Sequence, residues 1–98
     1  MTEALKTYSP EQAQRISQFD RATKVLQKLD AKQDFLDSGA MVVVFDANNP
    51  MGGVFDKQGQ TVVRGMKTGL FNELHDMGLG AEVKDIMERN KPDEGKLG

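Results

Sequence analysis

The hydrophobic pattern divides the chain into a helical first third, a β-rich middle and a helical end. Apolar residues return at helical spacing at Ala13, Ile16, Phe19, Ala22, Leu26, Leu29 and Leu36. Ser9 stands ahead of them as an N-cap, with Pro10 at the first helical position, where a missing N–H costs nothing. Gln12, three residues after Ser9, completes a capping-box pattern, and Glu11 suits the positive end of the helix dipole. Gly39 is a suitable residue to stop the helix. The pattern therefore predicts a long helix from about Ser9 to Ser38. Unbroken, it would be about 45 Å long at 1.5 Å per residue. That exceeds the width of about 26 Å set by the radius of gyration expected of a compact chain of this size. Either the helix breaks near Asp30-Ala31 and folds back as a hairpin, or it projects and pairs with a partner, most simply a second copy.

Met41-Val42-Val43-Val44-Phe45 has strand length and β-branched character without alternation, which predicts a central strand buried on both faces. Asn48-Asn49-Pro50 and Gly52-Gly53 mark a loop. Val54-Phe55 and Thr61-Val62-Val63 flank Asp56-Lys57-Gln58-Gly59, the spacing of a β-hairpin. From Met66 the period is helical again, with Met66, Leu70, Phe71, Leu74 and Met77 on one side of a short helix. Gly78-Leu79-Gly80 interrupts it, and Val83, Ile86 and Met87 mark a second short helix ending near Asn90, before Pro92. The expected fold is α+β: a long N-terminal helix, a small three-stranded antiparallel sheet and two short C-terminal helices. Residues 9–90 form one domain in this reading, with residues 1–8 and 91–98 as flexible ends.

With 98 residues the chain can bury one small core. Its 38% hydrophobic and 29% charged content is that of a folded globular protein. There is no Cys, which excludes disulfides, thiolate metal sites and a cysteine nucleophile. The N-terminal residues lack an apolar stretch of signal-peptide length, and the longest apolar run is too short to span a bilayer; a cytoplasmic location is the expectation.

Charge adds one feature. The chain carries a net charge of -2, yet Arg21, Lys24, Lys28 and Lys32 fall within a helical sector of about 80°, away from the apolar stripe. Asp20 can pair with Lys24, while Lys28 and Lys32 have no acid four residues before them. An acidic protein surface or a phosphate backbone is the natural complement of such a row. The acidic pI of about 5.3 and the lack of interleaved aromatics favour protein.

Other patterns read as structure. Gly78-Leu79-Gly80 resembles the Gly-hydrophobic-Gly turn of helix-hairpin-helix elements, but Asp76, Glu82 and Asp85 beside it would repel phosphate, so a glycine cap and tight turn is the reading. The single histidine, His75, next to Asp76, lacks the further ligands of a zinc or phosphohydrolase site. Asp46-Ala47-Asn48 begins like a calcium loop, but Pro50 and Met51 break the pattern and no Glu closes it. No catalytic residue, metal site or cofactor is assigned. Met41, Met66, Met77 and Met87 take core-type positions, whereas Met51 lies in the Pro-Gly loop beside Val54 and Phe55, where it can form an adaptable apolar contact with a partner.

The expected function is a small non-enzymatic adaptor or inhibitor that binds a larger protein, in one version as a homodimer. The candidate contacts are Arg21, Lys24, Lys28 and Lys32 on the helix and Asn48, Asn49, Met51 and Phe55 around the loop. In its compact, cysteine-free, motif-poor style the chain resembles small accessory proteins of phages and mobile elements. The alternatives are a nucleic-acid-associated protein using the basic row on phosphate, and a structural subunit whose long helix is embedded in an assembly.

Overall fold

A computed structural model describes residues 7–45 and 53–91. In these residues the order is α1 (Pro10–Asp30), α2 (Gln33–Asp37), β1 (Val42–Val44), β2 (Gly53–Phe55), α3 (Lys57–Asp76) and α4 (Gly80–Arg89). The class is mixed helix with a small sheet. Asn48, Asn49 and Met51 lie outside the described residues.

The start of α1 follows its sequence signals. The Ser9 hydroxyl accepts the Gln12 N–H at 3.0 Å, and the Gln12 side chain accepts the Ser9 N–H at 2.9 Å. The helix does not reach Ser38. It ends at Asp30, and a turn at Ala31-Lys32 leads into the five residues of α2. The cause is Leu36. It lies seven residues after Leu29 on the same helical face, but a straight helix would carry it past the start of α3. The break folds it back instead, leaving it 1% exposed in one cluster with Val25, Leu26, Leu29, Val44 and Val63. Gly39 then closes α2 at φ 92, the left-handed conformation that glycine adopts without penalty. Its N–H bonds the Leu36 carbonyl and the Ala40 N–H bonds that of Phe35, a Schellman ending.

The sheet has two strands, β1 and β2, antiparallel with Val43 opposite Val54. The expected third strand is part of a helix. Asp56 is not a turn residue but an N-cap whose carboxylate accepts the Gly59 N–H at 2.8 Å, so α3 begins directly after β2. Thr61-Val62-Val63 occupies its second turn, with Val63 buried and Val62 exposed. The β-branched run is overridden by the cap and by a helical repeat, because Val63, Leu70 and Leu74 all face α1 or α4. The expectation of two short C-terminal helices changes accordingly: α3 has 20 residues and α4 has 10.

The seam between α1 and α3 is the main contact, and it is antiparallel. Arg15 near the start of α1 pairs with Glu73 near the end of α3 at 2.6 Å. At the other end the Asp30 carboxylate accepts the Arg64 guanidinium at 3.0 Å and the Gln60 amide at 2.7 Å. Gln60 is buried and also exchanges amide hydrogen bonds with Gln33 of α2, so its polar head is satisfied within the core. A second apolar cluster joins Phe19, Leu74, Leu79, Val83 and Ile86, bringing α4 onto the pair. Gly78, at φ 78, ends α3 with the same double bond pattern as Gly39, so the Gly-Leu-Gly segment is the tight turn its sequence indicated.

Two tests follow from the packing. Gly65 and Gly69 sit in the interior of α3 with open space where a Cβ would go. Replacing both by Ala should raise stability by about 1 kcal/mol each, read from urea unfolding. Asp37 is held below its ordinary pKa of 3.8, first by the Gln33 side-chain hydrogen bond and then by Lys57. Its contribution is therefore complete above pH 3.8 and is lost as pH falls through the lower folded value. The stability difference between wild type and Asp37→Asn, measured by thermal unfolding, should be present at neutral pH and close on acidification below 3.8.

Candidate functional site

Two surfaces stand out. The first is the outward face of the β1–β2 ribbon. Side chains alternate along both strands, so Val42, Val44 and Phe55 turn inward and Val43 and Val54 turn outward, while Met41 and Phe45 flank β1 and are exposed. Val44 is buried, and Val42 and Phe55 pack half-buried on the cluster beneath. Val43 and Val54 and the flanking Met41 and Phe45 are 62–82% exposed, with Phe45 at the top of that range. The expectation of a strand buried on both faces thus fails on one face. A two-stranded ribbon has a single layer of helices beneath it and nothing in the described residues above it. Met41, Met66 and Met87, expected in the core, are exposed as well, and Met77 alone of those four is half-buried.

Phe55 was expected as a contact residue near the loop. It points inward instead, and its ring lies 3.2 Å from where a Cβ on Gly59 would sit. The run from Met41 to Phe45 has no alternation that would show only one of its faces to be covered. With Thr61–Val63 helical, the described residues contain no third strand beside β1 and β2.

The second surface is the solvent side of α1. Arg21, Lys24 and Lys28 share it, with Lys24 and Lys28 exposed and Arg21 partly so. Lys24 pairs with Asp20 at 3.2 Å. Among the described residues Arg21 and Lys28 form no ion pair. Lys32 lies beyond the end of α1, and its ammonium sits 5.4 Å from the centre of the Phe35 ring, a cation–π contact. The tertiary fold adds Arg89 at the end of α4. Together with Asp20, Lys24 and Asn90 it lines a depression of about 280 Å³ between α1 and α4. Asn90 donates to Asp20 at 3.0 Å, so the one acid there is held by both Lys24 and Asn90. Arg89 is 65 positions from Lys24 and carries no sequence signal that links the two.

A larger open groove of about 550 Å³ runs between α1, α3 and α4. Leu26, Ala31 and Met87 supply its apolar lining, and its rim carries both signs, Asp30 and Glu88 against Lys67 and Lys91. His75 packs against Phe71 with ring centres 4.5 Å apart and planes tilted by 47°, and lies over Gly80, a packing role at the end of α3. Among the described residues no three His, Asp or Glu side chains are grouped to hold a metal ion, and no helix is long and apolar enough to cross a membrane. Comparison with protein families, curated proteins and solved structures finds no match to this chain.

The inward setting of Phe55 has a direct test. Phe55→Ala should lower stability by about 2–3 kcal/mol in urea unfolding, less than the 3–5 typical of a fully buried Phe. A change below about 0.5 kcal/mol is the signature of a surface residue and would contradict the packing described.

Proposed function

We propose that the protein is a non-enzymatic binding module, an adaptor or inhibitor that docks on the acidic surface of a larger protein through the solvent side of α1. The observation that supports this is the row Arg21, Lys24 and Lys28, extended by Arg89 from a different helix, on a chain whose net charge is -2. Asp20 is engaged by Lys24 and Asn90, which leaves the positive charge of Arg21, Lys28 and Arg89 to dominate. Rows of this kind raise association rates with acidic partners and add specificity more than raw affinity. Arg and Lys on one helix face also fit a phosphate backbone. The acidic pI of about 5.3 is the reason to rank that reading second.

The triple reversal Arg21→Glu, Lys24→Glu, Lys28→Glu separates the two readings. These side chains are at the surface, so the variant should keep its thermal transition within a few degrees of wild type. Affinity capture from a lysate of the source cells, with and without nuclease, should retain a discrete protein on the wild type in both arms and lose it on the variant. Purified, that complex should weaken as salt rises. Recovery that disappears with nuclease assigns the row to nucleic acid. Equal capture by wild type and variant removes the row from the function.

A further inference from the structure

We infer that the open groove between α1, α3 and α4 seats an acidic peptide segment of the partner, with an apolar side chain against Leu26 and Met87 and a carboxylate on Lys67. This rests on the reading of α1 as the docking side for an acidic protein. It adds where that protein is held and by what chemistry.

The groove, about 550 Å³, has the size of a ligand site, roughly 300–1,000 Å³. Leu26 in its lining belongs to the interior at 4% exposure, whereas Met87 is 42% exposed and flexible enough to adapt to a bound side chain. Thr23 adds no free hydroxyl, because it donates to the Phe19 carbonyl at 2.7 Å. Two polar groups of the lining have no protein partner. The Gln27 amide is half-buried and makes no side-chain hydrogen bond among the described residues. Lys67 is half-buried, forms no ion pair among the described residues and has no Asp or Glu within one turn of its own helix. The acids nearby are already answered: Asp30 by Arg64 at 3.0 Å, Glu88 by Lys91 at 4.0 Å and, in the adjoining depression, Asp20 by Lys24 at 3.2 Å. That depression shares Asn90 with the groove and adds Arg89, which also forms no ion pair among the described residues. The local excess of charge is therefore positive, on Lys67 and Arg89.

The occupant follows from what these groups lack. A carboxylate compensates Lys67, and covering the groove removes water and strengthens that pair. The Gln27 amide carries a donor and an acceptor together, the complement of a peptide group with its own N–H and C=O. Met87 and Leu26 take an apolar side chain. A short stretch of polypeptide with Asp or Glu close to an apolar residue supplies all three. A phosphate backbone supplies the anion without the apolar anchor, and a fatty acid supplies anchor and anion without the amide.

The probe is a library of random peptides displayed on phage and selected on the full chain, with the enriched peptides then measured by fluorescence anisotropy. They should combine Asp or Glu with an apolar residue, bind less tightly as salt rises, and shift the NMR signals of Gln27, Lys67 and Met87. Lys67→Glu and Met87→Glu should each weaken them by at least about tenfold. Lys67→Arg, and Val62→Glu at an exposed position outside the groove, should stay within about twofold of wild type. If one groove variant does not fold, the other carries the test. Enriched peptides without acids, acidic peptides that both groove variants bind as wild type does, or no enrichment at all overturns the inference. Lysate capture separates it from the reading of the row. A protein kept by the groove variants and lost by the triple reversal at Arg21, Lys24 and Lys28 upholds the row and overturns the groove. A protein lost by the groove variants and kept by the triple reversal removes the row and supports the groove as the docking site.

Discussion

The antiparallel contact of α1 with α3 is the constraint on which the other elements depend. It is held at one end by Arg15 and Glu73 and at the other by Asp30 with Arg64 and Gln60. The apolar side chains between these ends form two clusters rather than one. Val25, Leu26 and Leu29 meet Val63 near the Asp30 end, and Phe19 meets Leu74 near the Arg15 end. Each cluster then recruits the element closest to it in the chain. Leu36 and the ribbon complete the first, and α4 completes the second. The buried amide of Gln60 fixes the register at the first cluster. Its partners, Asp30 and Gln33, lie on either side of the break between α1 and α2, so one side chain ties three helices. A buried polar group of this kind is costly if one partner is missing, which gives the break a single preferred geometry.

The same arrangement decides what reaches the surface. The ribbon is only three residues long on each strand and is covered from one side by helices, so its outward residues have no partner within the described chain. The clusters consume the apolar face of α1, and its opposite side carries the cations by default. Both surfaces are consequences of packing. The interior satisfies itself with helices, and what it leaves over is one apolar face and one row of positive charge.

Local signals in the sequence were reliable where the chemistry is local. The capping box at Ser9 and Gln12, the glycine endings at Gly39 and Gly78, and the apolar period of α4 all act within a few residues. Signals that depend on the tertiary partner were not readable. Thr61-Val62-Val63 has strand composition, and only the apposition of Val63 to α1 shows it to be helical. Asp56-Lys57-Gln58-Gly59 serves equally as a hairpin turn or as a cap with a first helical turn; Asp56 accepting the Gly59 N–H selects the latter. The break at Asp30 was one of two outcomes implied by helix length, and no glycine or proline marks it. Of the candidate contact residues, Arg21, Lys24 and Lys28 share the solvent side of α1. Lys32 lies in the turn and Phe55 packs half-buried against the cluster beneath the ribbon, because helix end and strand face are set by long-range packing. Arg89 joins the cations through the fold alone.

The most direct test of this architecture is a set of NMR measurements over residues 57–76, combining backbone chemical shifts with contacts between side chains. Helical shifts through Thr61, Val62 and Val63 are expected, with through-space contacts from Val63 to the Val25–Leu29 cluster and from Leu74 to Phe19. Strand shifts at Thr61–Val63, with cross-strand contacts to Val54 or Phe55, would contradict it: α3 would then begin later, the ribbon would gain a third strand, and the seam with α1 would lose its Gln60 register.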